Sequence, residues 1–238
     1  LLTIPLSSSL AVGRTDTLMF SVKVNPNGYS GVYNNQATVS AVGSGTFVTD
    51  VSGNGNNPDE DGDGDPGNNG SPTSYTVDFV RLGLAKSAGK SQSIGGGCYE
   101  VQFKFTVKNY GAATVYNINL FDDLNQTFTS PATYTVLTPI TVANGYLLPN
   151  PNYTGNGANT NLLISGSQLG AGKTDTLYLK VRYCYSGTNS FSNTAVVNGS
   201  SQPNGGFVTT DVSTDGKDPD KNDNNNPNDA GEDTPTVF

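Results

Sequence analysis

The chain has 238 residues, 34% of them apolar, and a net charge of −8 from 12 basic and 20 acidic side chains. It contains no histidine, which removes Ser-His and Cys-His nucleophile pairs and most transition-metal sites. There is no basic stripe for nucleic acid and no apolar run long enough to cross a membrane.

With 29 Gly, 13 Pro and many Asn, Ser and Thr, the chain reads as short strands joined by turns. The opening LLTIPL is too short for a signal peptide and lacks a basic start, so the chain reads as a fragment of a longer polypeptide. Leu18, Phe20, Val22 and Val24 then alternate as a strand would. NNQATVSAVGSGTFVTDVS (34–52) follows, and after it the acidic NPDEDGDGDP (57–66). In CYEVQFKFTVKNYG (98–111), Tyr99, Val101, Phe103, Phe105 and Val107 face one way. Glu100, Gln102, Lys104, Thr106 and Lys108 face the other. TVYNINLFDDL (114–124) and ATYTVLT (132–138) are further strands. In TDTLYLKVRYC (174–184), Leu177, Leu179, Val181 and Tyr183 alternate with Tyr178, Lys180 and Arg182. FSNTAVVNG (191–199) precedes a second acidic tract. Period-two alternation marks antiparallel strands that cover a core on one side. The predicted fold is all-β, an immunoglobulin-like antiparallel β-sandwich.

An internal repeat organises these elements. GRTDTLMFSVKV (13–24) matches GKTDTLYLKVRY (172–183), and 34–52 matches 192–213, with Asp50 falling on Asp211. NPDEDGDGDP (57–66) matches DPDKNDNNNP (218–227). Three blocks in one order give a unit of about 160 residues. Residues 1–78 are then the C-terminal half of one unit, and 79–238 a complete one. The excess over a minimal sandwich is assigned to 125–168 and the acidic tract. The half-unit cannot close a sandwich alone. Preceding sequence completes it, or strands from another copy do, by strand exchange.

Cys98 and Cys184 fall by parity on the outer faces of their strands and form a disulfide if those strands pair. The half-unit carries Asn25 in place of Cys184. The bridge closes a loop of about 87 residues, worth at most about 4–5 kcal/mol in the chain-entropy model and less where strain offsets it. A bridge points to an oxidising compartment. No C-x-x-C motif supports redox catalysis.

Fourteen of the 20 acids lie in two tracts, 50–65 and 211–233, and the remainder of the chain is slightly basic. Residues 59–64 read Asp-Glu-Asp-Gly-Asp-Gly, the D-x-D-x-D-G opening of a calcium loop. Alternating carboxylates on a tight turn converge on one point, as a hard cation requires. Gly70 stands where an EF-hand has its bidentate Glu, and no helices flank the loop, so it is not an EF-hand. The candidate ligands are Asp59, Asp61, Asp63 and Asp65, with Asp50 as a distant one. The second tract offers Asp220, Asn222 and Asn224 in matching positions, with Asp211, Asp218, Asp223 and Asp229 nearby. Its amides bring oxygen without charge, so it is a weaker site, or the same site filled by different residues. The contrasting reading is a flexible acidic linker.

Asp122 and Asp123 read as a turn or as further calcium ligands rather than catalytic carboxylates. Lys86, Lys104 and Lys180 are conceivable donors for an intramolecular Lys–Asn isopeptide bond, but nothing in the sequence singles out a partner. Tyr29, Tyr33, Tyr146 and Tyr153 are candidates for an aromatic sugar platform.

GLAKS (83–87), YEVQFKFTVKNYG (99–111), VYNINLFDDL (115–124), 151–182 and 211–238 together resemble a conserved repeat domain. That domain is arrayed in tandem in giant bacterial surface proteins, common in Bacteroidetes and including gliding-motility adhesins. The resemblance covers essentially the whole chain. It implies immunoglobulin-like repeats, export to the cell surface, and junctions stiffened by calcium. Only the acidic junction positions named above are carried over, and the Asn residues of 222–226 depart from a fully charged site. The resulting expectation is a non-enzymatic, extracellular structural repeat of an adhesin or filament. Its partners are neighbouring repeats and other copies, and it does not insert into membranes. A carbohydrate-binding accessory module is the competing class.

Overall fold

The computed structural model describes residues 8–24, 31–187 and 190–238. They are almost entirely β, with one four-residue helix, α1 (Leu124–Thr127), and one 3-10 turn at Pro66–Asn68.

In the leading segment, β1 (Gly31–Asn35) pairs antiparallel with β4 (Thr73–Val77). Between them β2 (Thr38–Gly43) and β3 (Thr46–Val51) form a hairpin. Ser44 and Gly45 turn that hairpin at positive φ. Residues 8–24 carry no strand. Leu18, Phe20 and Val22 are exposed, contrary to the expectation from their alternation. The reason is visible in their counterpart. β10 (Thr174–Cys184) is held between β7 (Cys98–Asn109) and β9 (Thr133–Val142). Among the described residues of 8–78, no strand stands beside 13–24. Alternation specifies which face a strand would bury, and burial needs neighbours.

Residues 82–237 form two larger sheets and one two-stranded sheet. In the first, β14 (Thr214–Asp215), β5 (Leu82–Ala88), β7, β10 and β9 lie in that order, with β6 (Gln92–Gly95) also on β7. β14 runs parallel to β5, and the other pairs are antiparallel. In the second, β13 (Thr209–Val212) and β8 (Tyr116–Asp122) flank β12 (Ala195–Ser200). The short β11 (Ser192–Asn193) pairs with β15 (Thr236–Val237). The two sheets share one core, so the unit is a β-sandwich.

Register explains the core. Val101↔Val181, Phe103↔Leu179 and Phe105↔Leu177 are direct partners, and all six side chains are fully buried. The intervening Glu100↔Arg182 pair lies outside, with Arg182 Nη2 to Glu100 Oε1 at 2.7 Å and Lys180 Nζ to Glu100 Oε2 at 2.6 Å. From the opposite sheet, Ile118, Leu120 and Val197 fill the same core. The long 143–173 connection is no surface excursion. Leu147, Leu162, Leu163 and Leu169 are buried in the core. Asp175, fully buried, fixes the start of this connection. Its Oδ1 accepts the N–H groups of Asn144 (2.8 Å) and Thr176 (2.8 Å), and its Oδ2 those of Tyr146 (2.8 Å) and Leu147 (3.0 Å). Four donors compensate the desolvation of one carboxylate.

Cys98 and Cys184 face each other in the β7–β10 register and are joined by a disulfide with Cα atoms 4.0 Å apart. Asn25 lies outside the described residues.

The β2–β3 and β12–β13 pairs share their local chemistry. Ser52 N–H donates to Ala37 O (2.8 Å) and Ala37 N–H to Ser52 Oγ (2.9 Å). Ser213 and Ala195 repeat both bonds, at 2.8 and 3.0 Å. Tyr33 stacks on Tyr75 across β1–β4 (centroids 5.7 Å), and Phe191 on Phe238 beside β11–β15 (5.9 Å).

Candidate metal sites in the acidic segments

Each acidic segment folds as a ladder in which a side-chain oxygen accepts the backbone N–H two residues on. In the first, Asn57 Oδ1 accepts from Asp59 (3.2 Å), Asp61 Oδ1 from Asp63 (3.4 Å), Asp63 Oδ1 from Asp65 (2.7 Å), and Asp65 Oδ1 from Gly67 (3.0 Å). In the second, Asp218 Oδ1 accepts from Asp220 (3.2 Å), Asn222 Oδ1 from Asn224 (3.0 Å), and Asn224 Oδ1 from Asn226 (2.7 Å). A longer bond closes each loop: Gly64 N–H to Asp59 Oδ2 (3.0 Å) and Asn225 N–H to Asp220 Oδ2 (2.8 Å). Every bond of the second ladder has its match 161 residues earlier. Short Asx side chains satisfy their own backbone in this way, which is why Asp and Asn recur at alternate positions.

The turns match as well. Gly62 and Gly64 have φ of 71° and 85°, and their counterparts Asp223 and Asn225 have 57° and 62°. Asp and Asn are the non-glycine residues that enter this region most readily. Asp223 therefore serves the backbone turn. It is exposed, and its N–H donates to Asp220 O (3.2 Å).

In the first loop, carboxylate oxygens of Asp59, Asp61 and Asp63 lie within 4.8 Å of one another. Asp59 Oδ1 is buried without a donor. Asn68 Nδ2 (2.9 Å to Asp63 Oδ2) and Asn69 Nδ2 (3.4 Å to Asp61 Oδ1) lean on the cluster. Asp65 caps the 3-10 turn. Asp50, half-buried, accepts the N–H of Val51 (2.8 Å) and stands apart from the three-carboxylate group. Three like charges this close repel, and a cation relieves the repulsion.

The second loop is docked. Tyr110, Pro219 and Pro227 close over Gly83 on β5 so tightly that a Cβ there would lie 2.6 Å from the Tyr110 ring and 2.9 Å from each proline. Asp220 and Glu232 are 2% and 4% exposed, and Asp220 Oδ1 and Glu232 Oε2 are buried with no donor. Asp229 accepts from the amides of Asn222 (3.5 Å), Asn224 and Asn226. Those amides hold its carboxyl below the usual range, the Asn224 contact most. Glu232 Oε1 accepts the N–H of Asn222 (3.2 Å). Asp211 is buried on β13, and its Oδ2 accepts the Leu84 N–H at 2.5 Å while Oδ1 has no partner. Burial pushes its pKa up to about 8, and the nearby acids Asp233 and Glu232 add to this. Desolvation raises the Tyr110 hydroxyl, and the charges of Asp220, Asp218, Glu232 and Asp211 raise it further. That ring therefore marks where these acids gather. Buried carboxylate oxygens without donors are rare, and an oxygen-only donor set suits a hard divalent cation.

Glu232 was not legible as a ligand candidate. A twelve-residue loop places the last ligand at position 12, whereas counting from Asp220 puts Glu232 at position 13. Asp122 is neither turn nor calcium ligand. It is 1% exposed, and its Oδ2 lies 2.9 Å from Lys86 Nζ. Asp123 is the turn residue and caps α1.

The tyrosines of the supposed sugar platform are dispersed. Tyr153 is buried and donates its hydroxyl to Asp122 O (2.9 Å), Tyr33 stacks on Tyr75, Tyr146 is exposed, and Tyr29 lies outside the described residues. An open groove of about 830 Å³ runs past Tyr134, Asn152 and Asn156. Of Tyr33, Tyr146 and Tyr153, the three that are described, only the buried Tyr153 borders it.

No family model matches the chain, and no curated protein matches it. Among solved structures it is similar to a family 123 glycoside hydrolase from Clostridium perfringens, at 14% identity and a TM-score of 0.25. The match covers 57% of this chain and 28% of that one.

Proposed function

We propose that this chain is a structural repeat of a secreted bacterial surface adhesin or extracellular filament. Its immunoglobulin-like sandwiches are joined by acidic segments that calcium makes rigid. The observation that carries this reading is the duplicated ladder: one loop geometry occurs twice, 161 residues apart, each time with a buried carboxylate oxygen that no protein group satisfies. A soluble linker needs neither the repetition nor the burial. Asp59, Asp61 and Asp63 supply the charge in the first loop. Asp220, Asn222, Asn224, Asp229 and Glu232 supply the donors in the second, with Asp211 beneath it. Calcium contributes positive charge that gathers these oxygens, and the fixed loop then sets the angle to the next repeat. The disulfide fits an oxidising, extracellular setting. Neighbouring repeats are the partners this architecture serves.

The test is thermal unfolding in calcium and in chelator. Ligand that binds the folded state alone stabilises by about 2.7 kcal/mol at a hundredfold excess over its dissociation constant. A midpoint several degrees higher in calcium, lost in Asp220→Ala, is the expected result. Identical midpoints and identical hydrodynamic size in both conditions would leave the acidic segments as solubilising linkers.

A further inference from the structure

Lys86 is fully buried, Asp122 is 1% exposed and Asn193 2% exposed, and the three meet in the sandwich interior. They come from three different strands: β5, the end of β8, and β11. Asp122 Oδ2 accepts from Lys86 Nζ at 2.9 Å and from Asn193 Nδ2 at 3.4 Å. The ammonium lies over the rings of Phe103 (4.9 Å) and Phe105 (4.8 Å). Water is thus kept from an amine and a carboxamide that meet on one carboxyl oxygen.

We propose that these three side chains form a self-processing site. Lys86 Nζ displaces ammonia from Asn193 Cγ, leaving a covalent amide between β5 and β11, and Asp122 carries the proton.

An ion pair alone accounts poorly for the site. A buried lysine–carboxylate pair costs several kcal/mol per ion in desolvation, and apolar replacements often match its stability. Here the compensation is incomplete. Asp122 Oδ1 and Asn193 Oδ1 are both buried with no donor. The cluster is one proton short of satisfying its acceptors, and moving a proton from Lys86 to Asp122 makes both groups neutral. Burial favours that transfer, pulling the Lys86 amine down to about 8 and pushing the Asp122 carboxyl up. The neutral amine is the nucleophile that acyl transfer needs, and a protonated carboxyl is the acid that polarises an amide.

The step balances without an added reagent. The Nζ lone pair forms a bond to Asn193 Cγ, and the amide oxygen accepts a hydrogen bond from the Asp122 carboxyl. Asp122 takes a proton from Nζ and delivers one to Nδ2. The Cγ–Nδ2 bond then breaks and ammonia leaves. Asp122 ends in its starting state.

The backbone holds the reactants in place. Thr236 pairs with Asn193 in the β11–β15 register and donates its hydroxyl to Lys86 O (2.8 Å), so one residue fixes both strands. Gly216 N–H also donates to Lys86 O (2.8 Å), and Tyr153 holds the carbonyl of Asp122. Positioning of this kind replaces a bimolecular encounter with a local one.

The test is the intact mass of the full chain, denatured and with its disulfide reduced. We expect a mass lower than the sequence value by one ammonia, and a protease digest with the Lys86 and Asn193 peptides joined. Lys86→Met and Asn193→Ala restore the full mass, and Asp122→Asn leaves the bond unformed in a chain whose near-ultraviolet circular dichroism shows it folded. The wild-type mass is the decisive reading and needs no variant to fold. The sequence mass after prolonged incubation would overturn the proposal. So would loss of one water with the Lys86 peptide joined to the Asp122 peptide, or loss of ammonia without a joined peptide. Calcium does not enter the measurement, so the outcome is independent of the acidic segments.

Discussion

Asp211 supports a pH prediction whose sign is fixed by its surroundings. Burial lifts its carboxyl from 3.8 to about 8, while the Leu84 N–H opposes this and Asp233 adds to it. The unfolded chain releases this proton near the ordinary value, and the folded chain holds it. Between those limits the folded state binds more protons, so stability falls as pH rises and levels off above about 8. From about pH 5 to about pH 7.5 the group contributes at most on the order of 3 kcal/mol. For a unit of this size that is a midpoint lower by roughly 6–12 °C. No histidine titrates in this window, and Glu100 and Asp229, both held below the usual carboxylate range, stay ionised throughout it, which leaves the buried Lys86–Asp122 pair as the other perturbed site. The assay is thermal unfolding in chelator at fixed ionic strength, with Asp211→Asn as the control whose slope, set by the Lys86–Asp122 pair and other groups, is subtracted. A wild-type midpoint that is constant or rises across the window would refute the reasoning. On the proposed calcium reading the ion takes the place of the proton, and the expected slope in calcium is smaller.

Asp175→Ala strands three N–H groups of the 143–147 connection and that of Thr176, and costs about 2–4 kcal/mol in denaturant unfolding, whereas Asp175→Asn, which keeps one acceptor oxygen, costs less. Replacing Cys98 and Cys184 by Ala removes a bridge between residues 86 apart and lowers stability by about 2–4 kcal/mol, read in the same experiment with and without reductant. Gly83→Ala forces the second acidic segment away from β5, and isothermal titration reads the effect as weaker calcium binding with the first loop unchanged.

What was legible in the sequence is what local period encodes. The inward sets 101–107 and 177–183 were placed by alternation alone, and the β7–β10 register buries them as read. The same parity put Cys98 and Cys184 on the outer faces of their strands, and the β7–β10 register sets them opposite each other. What was not legible depends on encounters between distant residues. Asp175 looked like one polar position in a strand, and only the returning 143–147 connection shows what it binds. Lys86 was one of three equivalent lysines until β8 brought Asp122 against it and β11 brought Asn193 to Asp122. Residues 18–24 show the converse. Their alternation equals that of β10, yet without neighbours it yields exposed Leu18, Phe20 and Val22 rather than a strand.

The two acidic loops share a backbone and differ in charge, and their surroundings explain the difference. The first lies in water, where screening moderates repulsion between exposed carboxylates, and it can carry Asp at 59, 61, 63 and 65. The second lies against Tyr110 and β5, with Asp220, Glu232 and Asp211 all buried. Each additional charge there would pay desolvation as well as repulsion. Asn at 222 and 224 keeps the ladder's acceptor oxygens, and together with Asn226, whose amide donates to Asp229, omits three charges. Substituting Asp for these amides would strengthen attraction for a cation but destabilise the metal-free loop on its docking surface. The asparagines are thus the composition that lets an oxygen-lined loop pack against a sheet before any ion arrives.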